Sequence, residues 1–334
     1  MSVSAANRKP NHEQPFLAAK QFILDHDDFL VVSHVQPDGD AASSTCAMGW
    51  MLHKLGKRFV MMNEEKLPEK FLYLWGSSEV ASFQPNLANR KFACVITVDC
   101  ADKARVGRVS ELFAKDAKIL NIDHHATNDR FGDIAAVLPE AAATAEILHD
   151  FAKLFSFTWD KSFAECIYTG ILTDTGGFRY SNTSPKVMEM AAALLSYGVK
   201  GHELAERLLE KLTMPHIRLL RCALNSLQFY AGGRIGAIQI SLADLTESQA
   251  KQEDFEGIVN YPVRIDGVDI GLLFRETADG KVKVSFRSTA NADVAEIAQQ
   301  FGGGGHARAA GATVMLPLAE AVRQVVAVAE RVLA

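Results

Sequence analysis

Apolar runs alternate with amphipathic stretches in the N-terminal part of the chain. The runs over residues 29–35, 58–63, 92–98 and 117–122 predict buried strands. Helical periodicity predicts helices over residues 16–24, 41–55, 141–155 and 161–172. The cap-then-proline pair Ser184-Pro185 starts a further helix, which Gly198 ends. Strands that alternate with helices favour an α/β fold with a doubly wound parallel sheet.

The pattern changes in the C-terminal part. Residues 201–229 have helical periodicity and more charge, with a break at Met214-Pro215. We therefore divide the chain into a first domain over residues 16–196, a helical linker over 197–215 and a second domain over 216–334. In the second domain, residues 234–241, 268–276, 281–288 and 312–316 predict strands, and residues 293–301 and 318–333 predict helices. These elements indicate a smaller α/β domain.

Composition and charge narrow the class of protein. The chain has 334 residues, of which 48% are apolar and 22% charged, as is ordinary for a globular protein of two domains. A net charge of -5 gives no general attraction to a polyanion, so a nucleic-acid substrate is expected to be short and held by a few local cations. The five cysteines are scattered and form no CxxC pair, and residues 1–15 lack an apolar signal segment, which predicts a cytoplasmic protein with reduced thiols.

Residues with metal-binding side chains follow several of the predicted strands. The carboxyl ends of parallel strands meet at one edge of a sheet, which brings such residues together. These residues are His34, Asp38 and Asp40 after the first strand, Asp99 after the third, and Asp123, His124 and His125 after the fourth, while a helix end adds Asp174.

Each of these residues also has a purely structural interpretation. Asp40 could be a helix N-cap, His34 a buried core histidine, Asp99 a turn former and Asp174 a solvated acid. Their common placement favours a metal site over four independent structural roles. Converging carboxylates raise one another's pKa unless cations neutralise them, and mixed His and Asp ligands suit Mn²⁺ better than Ca²⁺. Two metal ions need a bridging ligand, and the Asp99 carboxylate can bridge.

A glycine stretch lies in the second domain. Gly302 to Gly305 are followed by His306, with Arg287 at the end of a predicted strand and Arg308 just beyond the glycines. A loop of glycines exposes backbone amides that can hold an anion such as phosphate. The alternative is a flexible turn flanked by solvated basic side chains.

The first domain resembles the DHH phosphoesterase family, named for the triplet present here as Asp123-His124-His125. The resemblance extends to the segment from His34 to Asp40, to Asp99, and to Asp174 within Leu-Thr-Asp-Thr-Gly, while Ser43 stands where the family usually has glycine. It implies two metal ions, one held by His34, Asp38 and Asp99 and the other by Asp40, Asp99, His124 and Asp174. It further implies that Asp123 orients the histidine pair, that His125 contacts the scissile phosphate, and that Asp123, His125 and Asp99 are catalytic.

The second domain resembles the DHHA1 domain through the string Phe301-Gly-Gly-Gly-Gly-His306-Ala-Arg-Ala-Ala-Gly311. This resemblance implies that Arg287 and His306 contact substrate, that Gly303, Gly304 and Gly305 shape the binding loop, and that the active site lies in the cleft between the domains. A chain with these two domains and little else is similar to the bacterial bifunctional oligoribonuclease and 3'-phosphoadenosine 5'-phosphate (pAp) phosphatase subgroup.

The resemblance implies a two-metal phosphohydrolase that uses two Mn²⁺ ions, with Mg²⁺ or Co²⁺ as substitutes. It would degrade short oligoribonucleotides to mononucleotides and remove the 3'-phosphate of pAp, without binding long duplexes or membranes. One alternative is a phosphodiesterase of cyclic or linear dinucleotide signals such as pApA, pGpG and c-di-AMP. A second alternative is a nucleotide-binding regulator without turnover. A homodimer is left open.

Overall fold

The structure is a computed structural model that describes residues 13–85, 90–289 and 292–333. Contacts divide the chain into two compact units, Met1–Lys211 and Leu212–Ala334. Each unit is an α/β structure with its own sheet, as predicted. In the part of the chain that the structure describes, no helix is both long enough and apolar enough to cross a membrane.

The sheet of the first unit is parallel, as the sequence predicted. Its described strands are β1 (Phe29–Val32), β2 (Phe59–Asn63), β3 (Ala81–Ser82), β4 (Phe92–Val98), β5 (Phe113–Asp123) and β6 (Ile134–Val137). They lie in the order β3-β2-β1-β4-β5-β6, and every neighbouring pair is parallel. The chain therefore winds away from β1 in both directions, and the direction reverses between β1 and β4.

Two strand boundaries differ from prediction for identifiable reasons. The first strand ends at Val32 rather than at residue 35, because the Ser33 amide donates to the side chain of Asn63 and the Val35 amide donates to the carbonyl of Arg105. The fourth predicted strand, now β5, starts earlier, since Phe113 already pairs with Phe92 of β4. Because β1 ends early, the segment that carries His34 lies outside the sheet.

Five α-helices of the described residues in this unit lie before residue 200. They are α1 (Glu13–Asp25), α2 (Gly39–Lys54), α3 (Thr144–Ala152), α4 (Lys161–Asp174) and α5 (Pro185–Leu195). The helix predicted over 141–155 starts later, because Ala143 is extended and the Ala142 amide donates to the Glu146 carboxylate. It ends earlier, at Ala152, where the amides of Leu154 and Phe155 donate three residues back in turns. In the described residues between β2 and β5, the helical segments are of the 3-10 type, including Lys103–Leu112.

The helical region predicted over residues 201–229, with a break at Met214-Pro215, is divided near that break. α6 (Gly201–Ala205) continues into a π-helical turn, Glu206–Glu210, and α7 (Met214–Asn225) begins after the cap residue Thr213. The prediction of helix as far as residue 229 is wrong, because Phe229 pairs with Gly236 in a sheet. Its local periodicity is overridden by this antiparallel pairing.

The second unit is built on a mostly antiparallel sheet. Its described elements are β7 (Gln228–Tyr230), β8 (Ile235–Ile240), α8 (Leu242–Ser248), α9 (Asn260–Val263), β9 (Ile270–Glu276), β10 (Val282–Ser288), α10 (Val294–Gln299), β11 (Gly304–His306), β12 (Ala309–Val314) and α11 (Leu318–Leu333). The order is β11-β12-β10-β9-β8-β7, with β8 and β9 parallel. Side chains of α11 such as Val325 and Ala329 pack with Phe274 and Phe286 in the core.

The expectation of an open glycine loop is wrong for part of the stretch. Gly304–His306 form strand β11, which pairs with β12 around a turn at Ala307 and Arg308. A β-carbon at Gly303 would lie 2.1 Å from the carbonyl oxygen of Gly311, and Gly305 has a φ of +143°. The glycines therefore permit a close hairpin of two backbones.

Candidate metal centre

The residues with metal-binding side chains converge at the carboxyl edge of the first sheet. His34 follows β1, Asp99 follows β4, and Asp123 is the last residue of the neighbouring β5. Because these three strands are adjacent, their ends meet where the winding direction reverses, which is the usual ligand position in such a sheet.

The first two acids have different local partners. Asp38 is the N-cap of α2, and its carboxylate accepts hydrogen bonds from the amides of Asp40 and Ala41, both at 3.1 Å. Asp40 is fully buried and accepts from the amides of Thr144 and Ala145 at the start of α3, at 2.5 and 3.0 Å. The alternative that Asp40 is only the cap of α2 is therefore wrong.

Ser43 fits into this region as a helical residue. It lies one turn into α2, is fully buried, and its hydroxyl donates to the Asp40 carbonyl at 3.2 Å. The facing residue of α4 is Gly170, where a β-carbon would lie 2.8 Å from the Ser43 hydroxyl and 2.5 Å from the Asp40 carboxylate. The absence of a side chain at Gly170 thus makes room for both Ser43 and Asp40.

Asp99 occupies the middle of the cluster. Its φ of +55° is in the left-handed region, and its amide donates to the carbonyl of Ile122. One carboxylate oxygen, Oδ2, lies 3.5 Å from His34 Nε2, whereas the other, Oδ1, lies 3.6 Å from His124 Nε2 and accepts from the Thr144 hydroxyl at 3.0 Å. The two oxygens of one buried carboxylate thus face two different histidines.

The two histidines of the triplet have different surroundings. His124 Nε2 lies 3.3 Å from Asp174 Oδ2 and 4.0 Å from Asp40 Oδ2. His125 Nδ1 instead donates to Asp123 Oδ1 at 2.8 Å. His124 therefore directs its Nε2 toward two acids, whereas His125 has its Nδ1 held by the Asp123 carboxylate.

The predicted ligands form overlapping groups. In the described ranges, the donor atoms of His34, Asp38 and Asp99 lie within 4.8 Å of one another, and so do those of Asp40, His124 and Asp174. A third group joins Asp99 to His124 and His125. Imidazole and carboxylate donors in this mixture fit Mn²⁺ and similar divalent ions.

The pKa shifts in this cluster follow from its crowding. Burial, followed by the charges of Asp99 and Asp174, raises the pKa of Asp40, and burial is also the main cause that raises the pKa of Asp174 to about 6. Burial alone would raise the pKa of Asp99, but the hydrogen bond with His34 and the charges of the histidines hold it well below its usual range. Burial would lower the pKa of His34, but its bond to Asp99 and the nearby acids raise it to about 9. Divalent cations would relieve the crowding of the acids.

The substrate residues predicted in the second unit lie in one row of its sheet. Arg287 of β10 and His306 of β11 are both register partners of Ala309 on the intervening strand. Register partners project to the same face, so both side chains lie on one face, about 10 Å apart across a small residue. Arg308, by contrast, donates to the carbonyls of Thr289 and Ala292, which stabilises the local turn.

Two contacts of the site were missed by the sequence analysis. The Thr144 hydroxyl bonds to Asp99, and the Asn128 side chain bonds to Asp123. Thr144 lies far from Asp99 in the sequence, so no spacing pattern links the two residues. Asn128 lies five residues after Asp123, and an asparagine at that short distance from the triplet was a readable turn signal.

Comparisons with known proteins agree with this geometry. Residues 28–171 match the model of the DHH family, N-terminal domain, and residues 232–334 match that of the DHHA1 domain. The bifunctional oligoribonuclease and PAP phosphatase NrnA of Thermus thermophilus is 36% identical, with 85% of this chain and 83% of that protein covered. The protein of the same name from Bacillus subtilis is 28% identical, with 86% of this chain and 90% of that protein covered.

A solved structure gives the same result for the fold. The crystal structure of an exopolyphosphatase-related protein from Bacteroides fragilis is similar with a TM-score of 0.87 and 25% identity, and the match covers 96% of this chain and 98% of that one. With both domain models, a relative above 30% identity and the gathered ligand set, the chain belongs to the DHH phosphoesterase family, in its subgroup with a DHHA1 domain.

Proposed function

We propose that this chain is a two-metal phosphohydrolase that degrades short oligoribonucleotides to mononucleotides and removes the 3'-phosphate of pAp. The observation that supports it most is the Asp99 carboxylate, whose two oxygens face the two separate ligand groups. The names of the relatives from Thermus thermophilus and Bacillus subtilis support the substrate class.

We assign one ion to His34, Asp38 and Asp99, and the second ion to Asp40, His124 and Asp174 together with Asp99. Bound divalent ions would supply positive charge for activating a water and for neutralising the phosphoryl oxygens. Mn²⁺ is the ion we expect, with Mg²⁺ or Co²⁺ as substitutes. The buried carboxylates Asp40 and Asp99 are held rigidly by Thr144 and Ala145, so the ligands are preorganised.

The protein's own groups bind and orient the substrate. We assign His125 to the scissile phosphate, because Asp123 occupies its Nδ1 and the ring is thereby fixed with Nε2 as its other polar atom. Asp99 and Asp123 are catalytic in this proposal. We assign Arg287 and His306 to another part of the nucleotide, with Gly303, Gly304 and Gly305 allowing a close approach of backbone.

The same site could serve other chemistry. A phosphodiesterase of pApA, pGpG or c-di-AMP would use the same metal ligands and differ only in how it holds the nucleotide. A nucleotide-binding regulator without turnover is disfavoured by the complete ligand set. All five cysteines lie in the described ranges as free thiols, which supports a reducing compartment such as the cytoplasm.

A product time course tests the proposal. Purified chain with Mn²⁺ is incubated side by side with pAp, a labelled dinucleotide to pentanucleotide series, and c-di-AMP. We expect AMP and phosphate from pAp and mononucleotides from the short RNAs. Exclusive turnover of c-di-AMP would select the first alternative, and binding without turnover of any substrate would select the second.

A further inference from the structure

A half-buried asparagine bonds to the carboxylate that holds His125. Asn128 follows the triplet in a turn, in which its own amide donates to the His125 carbonyl at 3.1 Å. Its side-chain nitrogen donates to Asp123 Oδ2 at 2.6 Å, while Asp123 Oδ1 accepts from His125 Nδ1 at 2.8 Å. The two oxygens of the Asp123 carboxylate are thus divided between Asn128 and His125.

The orientation of the Asn128 amide is fixed by its neighbours. The backbone amide of Arg130 donates to Asn128 Oδ1 at 2.7 Å, so the oxygen of the amide must face Arg130 and its nitrogen must face Asp123. The same nitrogen also lies 2.9 Å from Asn121 Oδ1 and 3.1 Å from the Cys100 carbonyl. Reversing the amide would set its oxygen against three acceptors, which is unfavourable.

The surroundings leave the Asp123 carboxylate dependent on these bonds. Asp123 has no exposed surface, and a buried carboxylate needs hydrogen-bond donors to remain in place. The neighbouring Asn121 cannot replace Asn128, because its side-chain nitrogen already donates to the Thr97 hydroxyl and the Cys100 carbonyl. Without Asn128, the carboxylate would keep His125 as a donor but lose the bond that sets its own rotation.

We propose that Asn128 is a positioning residue, which holds the Asp123 carboxylate so that His125 keeps its Nδ1–H form and its orientation toward the phosphate. The inference rests on the proposed function, since it gives His125 a task in hydrolysis. Asn128 acts through Asp123 and does not touch the substrate. Its loss is therefore expected to reduce kcat and to leave KM and the metal content nearly unchanged.

A double-mutant cycle on pAp hydrolysis separates this role from a general structural one. Asn128→Ala should lower kcat about 10- to 100-fold, the range for a hydrogen bond to a charged group. In a His125→Ala background, the same substitution should cost less than about threefold, because Asn128 then has no histidine to position. Asn128→Asp keeps the shape but places a second carboxylate beside Asp123, so it should be at least as damaging as Asn128→Ala.

A matched control accounts for lost stability. Asp160 caps α4 by accepting from the amide of Phe163, away from the triplet, so Asp160→Ala should lower Tm without lowering kcat. A second readout is independent of turnover. The ¹⁵N chemical shifts of the His125 ring in metal-free protein, assigned by their loss in His125→Ala, should report the Nδ1–H form in the original chain and a mixture in Asn128→Ala.

The outcomes distinguish the two levels of the proposal. Equal losses from Asn128→Ala in both backgrounds, or an unchanged ring tautomer, would overturn the positioning role while leaving the hydrolase assignment intact. An original chain without activity, or a His125→Ala variant with full activity, would instead overturn the proposed function on which the inference rests.

Discussion

Replacing Asp99 with asparagine tests whether one carboxylate serves both metal ions. The change preserves the shape of the side chain but leaves one oxygen and one nitrogen in place of two oxygens. Because Oδ2 faces His34 and Oδ1 faces His124, the amide nitrogen of Asn must face one of the two ligand groups. An amide nitrogen is a donor and no metal ligand, so at least one ion loses its contact and the shared negative charge is lost.

The loss of kcat in Asp99→Asn can be estimated from the known cost of a weaker change, the loss of a hydrogen-bond partner of a metal ligand. Loss of an outer partner of a metal ligand costs about 10- to 100-fold in affinity or activity. Taking about 100-fold for each ion, Asp99→Asn should lower kcat by roughly 10⁴, or about 5.5 kcal/mol, whereas Asp174→Asn should cost roughly 10² because it affects one ion. The prediction is that Asp99→Asn lowers kcat more than Asp174→Asn does.

The assay is kcat on pAp at saturating Mn²⁺, together with the Mn²⁺ content of each purified variant. Asp254→Asn provides the control, since Asp254 is nearly as buried as Asp99 but lies in the second unit. The assignment of the bridge is refuted if Asp99→Asn binds two ions and turns over within tenfold of the original chain. It is also refuted if Asp174→Asn is the more damaging variant.

Three further predictions concern metal, pH and the second unit. Excess chelator should abolish hydrolysis and lower Tm, and Mn²⁺ should restore both. The effect on Tm is expected because an ion at 100 times its Kd stabilises the folded chain by about 2.7 kcal/mol. Full activity in chelator would contradict the two-metal proposal. The pKa of His34 is raised to about 9, so a proton must leave this ligand on metal binding below that pH. The affinity for Mn²⁺ measured by calorimetry should therefore rise from pH 7 to pH 9, and an affinity that falls over this range would contradict the assignment of His34 as a ligand. Arg287→Ala and His306→Ala should each lose about thirtyfold in kcat/KM on pAp but little on a small chromogenic ester. Arg323→Ala is the surface control. Equal losses on both substrates would show that the two residues do not bind the nucleotide.

The sequence predicted those parts of the fold that depend on strong local patterns. The strand over 92–98 and the helix over 318–333 have the predicted bounds, because a mostly apolar run of seven residues favours a buried strand and a long amphipathic repeat favours a helix. The convergence of the ligands was also predictable, since adjacent parallel strands deliver their last residues to one edge.

The missed elements are those whose pairing is not local. β3 has two residues and β6 four, too short to carry a pattern. Phe229 lies at the end of a helical repeat but pairs with Gly236, and the glycines at 304 and 305 form a strand only because β12 lies beside them. Tertiary pairing decided these positions.

The site shows the same division between local and non-local information. The spacing of His34, Asp38 and Asp40 was enough to suggest ligands, but the contact of Asp40 with the start of α3 joins residues about a hundred positions apart. The different surroundings of His124 and His125 also needed the structure, since only the distances show that His125 Nδ1 bonds to Asp123 while His124 Nε2 lies beside Asp174.

Anomalous diffraction from crystals grown with Mn²⁺ would show directly whether Asp99 is shared by two metal ions. Data collected at the manganese edge should show two peaks per chain at the carboxyl edge of the first sheet, about 3.5–4 Å apart, with Asp99 between them. One peak should be bound by His34 and Asp38, and the other by Asp40, His124 and Asp174. A single peak, or two peaks that do not share Asp99, would rule out a two-metal site bridged by Asp99.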